Sequence, residues 1–521
     1  MRGSLALVLH AHLPFVRHPE HRQSLEELWL FEAITECYLP LLRILDAWDA
    51  DSLNGRITLS LTPTLGAMLR DPLLQDRFRA YLDRLIRLAE AEAHRTLFEK
   101  ELQSVALFYL DRLQTISRFY DHIQRDVVGA FARLQQAGRV ELIASAATHA
   151  VLPLLRTHPP SLRAQIRAGC DAHAEMFGVR PQGFWLPECA WAQGTDDFLA
   201  GAGIRWFIVE SHGLLHATPR PRYGLFAPVL TKAGLAAFGR DSASARQVWS
   251  RDEGYPGDPW YREFYRDAGF DLDLDYLRDF LPIHGRRGFT GIKYHRITGG
   301  TGPKQVYDRR KALERAAEHA RHFLECRSAQ LDRLEALMDH AVVVCPYDAE
   351  LFGHWWFEGP EFLDQFVRKA HAAGVALVSP GDYLRTWPAH QAATPADSSW
   401  GEQGFWRVWL NEQNHWITGR LGFAQEHMSR LATRQLPPGS PADRALRQAA
   451  RELLLAQASD WPFIIRTGTS PGYASRRVKT HLLRFWKLCN QIHAGHINES
   501  FLKQTEDLDN FLPNLHCSHW R

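Results

Sequence analysis

Short, almost wholly apolar runs recur along the chain: Leu5 to Leu9, Ile57 to Leu61, Val140 to Ala144, Phe184 to Leu186, Trp206 to Val209, Val342 to Val344 and Ala376 to Val378. Each has the length of a strand and lacks polar alternation, which predicts strands buried on both faces. Between them, Leu25 to Asp49, Ser161 to Phe177 and Gln305 to Leu324 carry helical periodicity. Strand and helix in alternation predict a parallel sheet of the α/β class. From Leu69 to Gly138 charged and apolar helical patterning runs without a strand, so residues 69–137 read as a helical insertion. The polar, proline-containing stretch Gln391 to Ser399 reads as a linker closing a main domain over residues 1–395. Beyond it, Leu421 to Thr433, Asp443 to Gln457 and Arg477 to Ile492 predict a helical C-terminal domain over residues 396–521.

The polar residues that follow these strands carry the functional information. They are His10 and His12, Thr62, Thr148 and His149, Glu188, Glu210 and Asp348. Parallel α/β folds place their sites at the carboxyl ends of strands, so these side chains are expected at one mouth, with a barrel or barrel-like sheet favoured. A formal charge of +2 gives no electrostatic footprint for nucleic acid or an anionic membrane, and no segment approaches a membrane span. The seven cysteines are scattered, odd in number and without a CxxC pair, which fits a reducing compartment. Met1-Arg-Gly leads directly into Leu5 to Leu9, too short for a secretory h-region, so the chain is expected to be cytoplasmic and unprocessed.

Two segments concentrate chemistry. Gly183-Phe-Trp-Leu-Pro-Glu-Cys-Ala-Trp191 sets Glu188 just past a strand, after Pro187 and between Trp185 and Trp191. It reads equally as a nucleophile or as a structural helix cap. Val342-Val-Val-Cys-Pro-Tyr-Asp-Ala-Glu-Leu-Phe-Gly-His-Trp-Trp-Phe-Glu-Gly359 sets Asp348 after a strand and a proline, with His354, Trp355 and Trp356 close behind. Two carboxylates at one mouth suit glycoside chemistry, in which one attacks the anomeric carbon and the other protonates the leaving oxygen. His10 and His12 share one side of a strand; hydrogen bonding to hydroxyls or to the carboxylates is preferred over metal ligation, because no third ligand stands at a diagnostic spacing. Tryptophan is abundant, at 17 residues, and the stretches around Trp249, Trp406 to Trp409, His415-Trp416 and Asp460-Trp461 pair rings with polar groups, as a sugar site requires.

Five motifs in order, His10-Ala-His-Leu-Pro-Phe15, Ala147-Thr-His149, Trp185-Leu-Pro-Glu188, Cys345-Pro-Tyr-Asp348 and Ala458-Ser-Asp-Trp-Pro-Phe463, make the chain resemble glycoside hydrolase family 57, and within it the branching enzymes. The resemblance implies an incomplete (β/α)7 barrel with an inserted helical module and an α-helical C-terminal domain that completes the cleft. It implies retaining chemistry, with Glu188 as nucleophile and Asp348 as general acid/base. His10, His149, Trp29, Trp249, Trp409, Trp416 and Asp460 would line glucan subsites, with His12 and His354 joining them as polar contacts. Tyr223 matches a loop tyrosine that keeps water from the glucosyl enzyme. No metal or organic cofactor is implied; the partner is an α-1,4-glucan, and a monomer is expected. The stretch between Glu188 and Trp249 is shorter than the family pattern, so a mainly hydrolytic enzyme is the alternative. A glucan-binding protein without turnover and a metal-dependent polysaccharide deacetylase are the readings from other classes.

Overall fold

A computed structural model describes residues 3–521 apart from Asn54, Arg251, Asp252, His284, Gly300 and Thr301. Met1 and Arg2 of the N-terminal reading, and Arg251 and Asp252 of the stretch after Trp249, therefore lie outside the described residues. Nine strands are found among the described residues: β1 (Ser4–Ala11), β2 (Ile57–Leu61), β3 (Val140–Ser145), β4 (Gly183–Trp185), β5 (Trp206–Val209), β6 (Val229–Leu230), β7 (Ala236–Gly239), β8 (Val342–Asp348) and β9 (Ala376–Leu377). They form one sheet in the order β6-β7-β5-β4-β3-β2-β1-β8, with β9 paired to the start of β1. Every pairing is parallel except β6 with β7.

Seven parallel strands, β7-β5-β4-β3-β2-β1-β8, curl towards closure. The ends β7 and β8 meet through a single bridge, Arg240 with Val344, and the Asp241 N–H donates to the Val344 carbonyl at 2.9 Å. This is the incomplete (β/α)7 barrel that the resemblance implies. The open seam also accommodates Pro346, which has no N–H to give a second ladder and sits where β8 has only one regular neighbour.

The two-residue period of the strands divides their side chains between two cores. Leu5, Leu7, Leu9 and Ala11 of β1 join Val343, Cys345 and Tyr347 of β8 in the outer core beneath the helices. Ala6, Val8, Ile143, Trp185, Trp206, Ile208, Ala236, Phe238, Val342 and Val344 form the barrel interior. Counting on by two from these inward residues reaches His10 and His12, Ser145, Glu210, Arg240 and Asp348. Strand periodicity alone thus delivers the polar set to one end of the barrel.

The stretch after β2 is helical, with Pro72–Arg95, Lys100–His122 and Val127–Gln136 filling the predicted insertion. A second excursion, residues 242–308 between β7 and β8, has only short helices among its described residues and was not singled out by the hydrophobic pattern. At the C-terminus, His415–Ala432, Pro441–Ala456 and Pro471–Ala494 cover the three expected helical stretches, and Asp460–Thr467 and Glu499–Leu508 are further helices. Ser440 caps the second of these by accepting from the Asp443 N–H, with Pro441 preset for the first turn. These helices dock on the barrel mouth: the Thr148 hydroxyl donates to the Leu454 carbonyl, and Gln165 donates to Gln457 at 2.8 Å.

The stretch from Gln391 to Ser399 is not a loose spacer. Ala392, Thr394 and Ser398 make bridges with Leu230, Thr218 and Trp191, so the chain is laced along the barrel before it reaches Trp400. No described helix is long and apolar enough to cross a membrane.

Candidate active site

Pro187 ends β4 by removing a ladder donor, and the chain turns at once. Glu188 and Cys189 take the left-handed conformation, with φ of 62° and 48°, which costs non-glycine residues energy and recurs at functional sites. The turn lifts the Glu188 carboxylate into the mouth. There the Trp400 indole N–H donates to its Oε2 at 2.8 Å, and the Trp400 backbone N–H donates to its carbonyl at 3.1 Å. Trp400 in turn packs on Trp185, with centroids 5.2 Å apart, and lies under the Arg240 guanidinium.

Asp348 ends β8 beside His10 in register. Burial pushes its carboxyl well above the usual range, the charges of Glu350 and Glu188 push it further, and Arg240 pulls it back. Burial also raises Glu188 and the Asp460 charge adds to it; the Trp400 N–H, the Ser459 hydroxyl and His12 oppose the rise without cancelling it. The two carboxyls therefore differ in kind. Glu188 has hydrogen-bond donors that favour its anion, whereas Asp348 looks onto other carboxylates and is held towards its acid form.

Three histidines form a stacked ladder beside Glu188. His10 and His149 meet through their Nε2 atoms at 2.9 Å, and His12 stacks on His149 with centroids 4.0 Å apart. His10 Nδ1 meets the Ser60 hydroxyl at 3.2 Å, and His149 Nδ1 meets Ser459 at 2.8 Å, with Glu188 Oε1 at 3.6 Å. His12 lies between Thr62 at 2.9 Å and Asp460 at 3.1 Å, and its backbone N–H donates to Glu350 at 3.1 Å. All six ring nitrogens are thus engaged with protein groups. Burial drives His10 and His149 well below the usual imidazole range, so both stay neutral and one N–H can serve the other's lone pair. Burial also lowers His12, but Asp460, Glu188 and Glu350 more than offset it and the net displacement is upward. Of the three histidines His12 alone is shifted towards its protonated form, and it is tied to Asp460 of the C-terminal helices.

The remaining sequence-named residues lie around this centre. Trp409 is buried with Val151 and Ala190 against Trp400, and with Ser459 it lines a cavity of about 60 Å³. Trp29 meets Tyr473 edge-on at 6.0 Å, and Trp416 is flanked by Arg420 and Lys479. Trp249 ends the short helix Ser242–Trp249 and is 44% exposed. Tyr223 is 36% exposed, with the Arg222 guanidinium 5.2 Å from its ring. His354 belongs to a neighbouring polar cluster, where its Nδ1 meets Glu36 at 2.9 Å and Arg262 pairs with the same carboxylate at 2.7 Å.

Sequence reasoning did not name Trp400, Ser459, Glu350 or Arg240 as site residues. Glu350 and Arg240 share the inward parity of Asp348 and of β7, and Ser459 stands beside Asp460. Trp400 had no local signal. Among the described residues one group has ligand atoms close enough for a metal ion, Glu452, His481 and Asp509, all within 4.8 Å of one another. It is buried among the C-terminal helices, where His481 bonds to Glu452 at 2.7 Å and Arg484 donates to Asp509.

The model of glycosyl hydrolase family 57 matches residues 6–394, and that of the 1,4-alpha-glucan branching enzyme C-terminal region matches residues 420–520. The solved alpha-amylase AmyC from Thermotoga maritima is 41% identical with a TM-score of 0.94, covering 100% of this chain and 99% of that one. The GH57-type branching enzyme from Pyrococcus horikoshii is 33% identical with a TM-score of 0.90, covering 100% and 97%. The 1,4-alpha-glucan branching enzyme of Thermococcus kodakarensis is 33% identical, over 98% of this chain and 77% of that protein. With the curled sheet, the paired carboxyls and both family models in agreement along the chain, this protein belongs to glycosyl hydrolase family 57.

Proposed function

We propose that the protein is a 1,4-α-glucan branching enzyme in which Glu188 is the nucleophile and Asp348 the general acid/base. The observation that carries the reading is the contrast between the two carboxyls. Burial raises both carboxyls, but at Glu188 the Trp400 N–H and the Ser459 hydroxyl oppose the rise, while at Asp348 the neighbouring carboxylates add to it. In the first step Glu188 attacks the anomeric carbon of an α-1,4 link and Asp348 gives its proton to the departing 4-oxygen. In the second, the Asp348 carboxylate takes a proton from an acceptor 6-hydroxyl, which displaces Glu188 and restores the original anomeric configuration. The ladder of His10, His12 and His149 orients Glu188 and offers polar contacts to sugar hydroxyls. Trp29, Trp249, Trp409, Trp416, Asp460 and His354 supply stacking faces and hydrogen bonds along the glucan. The branching enzymes among the similar proteins and the match of the branching-enzyme C-terminal model support transfer over hydrolysis.

Residues 1–395, with the insertion 69–137, act as the catalytic domain, and residues 396–521 close the cleft by bringing Trp400, Ser459 and Asp460 to the barrel mouth. The enzyme works as a monomer in the cytoplasm, a placement that its seven free cysteines support. Mainly hydrolytic action is the second reading, favoured by the 41% identity to an alpha-amylase. Proton NMR of amylose incubated with the wild-type protein and with Glu188→Gln separates the two. New α-1,6 anomeric signals that vanish in the variant support branching through Glu188. Reducing ends without new α-1,6 signals make the enzyme a hydrolase, and signals that persist in Glu188→Gln remove the assigned nucleophile.

A further inference from the structure

Next to the cleft, a group of aromatic rings stands open to solvent and takes no part in the chemistry above. Trp355 is 56% exposed and stacks on Phe264 of the second excursion, with centroids 4.8 Å apart and planes within 21°. Phe289, 38% exposed, extends the surface, and the Lys293 ammonium lies 4.3 Å from the Phe264 ring and 5.1 Å from that of Phe289. Exposed rings in contact are costly to leave in water, and a cluster rimmed by polar groups marks a binding surface.

The platform is continuous with the catalytic mouth. The Trp355 backbone N–H donates to the Glu350 carbonyl at 3.1 Å, and the Glu350 carboxylate holds the His12 backbone N–H. On its other side, His354 bonds to Glu36 at 2.9 Å. Glu36 lies on the same run of helix as Glu32 and Trp29, two turns and one turn further along from the Trp29 ring. This run contains a π-helical segment, Ile34–Tyr38, which is a rare form concentrated at functional sites. Glu32 is half-buried on this run of helix, close enough to His354, Glu36 and Lys293 for their charges to act on it. A flat indole with carboxyls and an ammonium beside it suits a pyranose ring, whose C–H face stacks while its rim hydroxyls find polar partners.

We infer that Trp355 and Phe264, with Glu32 beside them, form a remote glucan subsite that holds a long α-glucan chain beyond the residues contacting the reacting link. The inference rests on the glucan reading of the catalytic site. The subsite would add affinity for long chains and leave short ones untouched, since a short oligosaccharide at the carboxyls does not reach it.

The test uses Glu188→Gln to prevent turnover and measures binding of soluble amylose and of maltotriose by calorimetry, with and without Trp355→Ala. Loss of one ring stack is expected to raise the Kd for amylose roughly three- to tenfold. The Kd for maltotriose should hold, and Trp355→Phe should recover most of the amylose affinity. If the parent binds amylose and Trp355→Ala binds it equally well, the subsite is wrong and the functional reading stands. If the parent binds neither glucan, the functional reading fails first and takes the subsite with it. Sedimentation of both proteins is measured alongside; a dimer that Trp355→Ala dissociates would assign the platform to self-association instead. Trp355 is at the surface, so an unchanged unfolding midpoint excludes a folding defect.

Discussion

Trp400→Phe isolates one hydrogen bond at the centre of the mechanism. The substitution keeps a ring against Trp185 and under Arg240, but deletes the indole N–H that lies 2.8 Å from Glu188 Oε2. A hydrogen bond to a charged acceptor contributes about 1.5–3 kcal/mol, and this one favours the anion. Without it the Glu188 carboxyl holds its proton to higher pH, so the acidic limb of the kcat/KM profile moves upward. At a fixed pH on that limb, kcat/KM should fall about ten- to a hundredfold, the rate equivalent of the lost interaction. On the plateau the loss should be much smaller, because the bond is spent on a charge that diminishes as Glu188 attacks. The assay is kcat/KM against pH for cleavage of a maltooligosaccharide, with thermal unfolding as a control on packing. An equal loss at every pH, or an acidic limb that does not move, would refute the argument that Trp400 tunes the nucleophile.

Arg240 is the group that pulls the Asp348 carboxyl down, so its removal should let Asp348 keep its proton to higher pH and move the basic limb of kcat/KM upward. Glu210 pairs with Arg240 at 2.9 Å and would be left as a lone buried charge at a cost of about 3–5 kcal/mol, so the experiment pairs Arg240→Met with Glu210→Gln and reads the limb by pH-rate profile. Tyr223→Ala should leave cleavage near wild type and raise the ratio of reducing ends to new α-1,6 linkages a few-fold, read by NMR on amylose; an unchanged ratio would remove Tyr223 from acceptor choice. Gly353 has a φ of 114°, and a Cβ there would meet the Glu36 carbonyl of the π-helical segment at 1.8 Å, so Gly353→Ala should cost at least about 2 kcal/mol by denaturant unfolding.

What the sequence made legible, and what it did not, follows from how far each signal reaches. The seven apolar runs fall on β1, β2, β3, β4, β5, β8 and β9; all but β9, whose Ala376 is exposed, are buried on both faces, where a strand is largely apolar. β7 escaped notice since its residues are Ala-Ala-Phe-Gly, small enough to lie against Trp206 and Leu214 but too weakly hydrophobic to stand out. Its loss from the pattern also hid Arg240, whose inward parity can be counted only once β7 is known. Parity likewise carries His10, His12, Glu210 and Asp348 to the mouth, and for these a local rule suffices. Trp400 is of another kind. It reaches Glu188 from 212 positions away only because the stretch before it is laced to Trp191, Thr218 and Leu230 by isolated bridges. Such bridges leave no periodicity, and the polar, proline-containing composition that permits them is the one that reads as a spacer. The same reasoning explains the Trp355 platform: each ring was visible in the chain, but the stacking partner Phe264 comes from an excursion with no regular pattern. The catalytic pair was therefore readable from strand ends, while the groups that tune it come from irregular chain whose placement depends on the finished barrel.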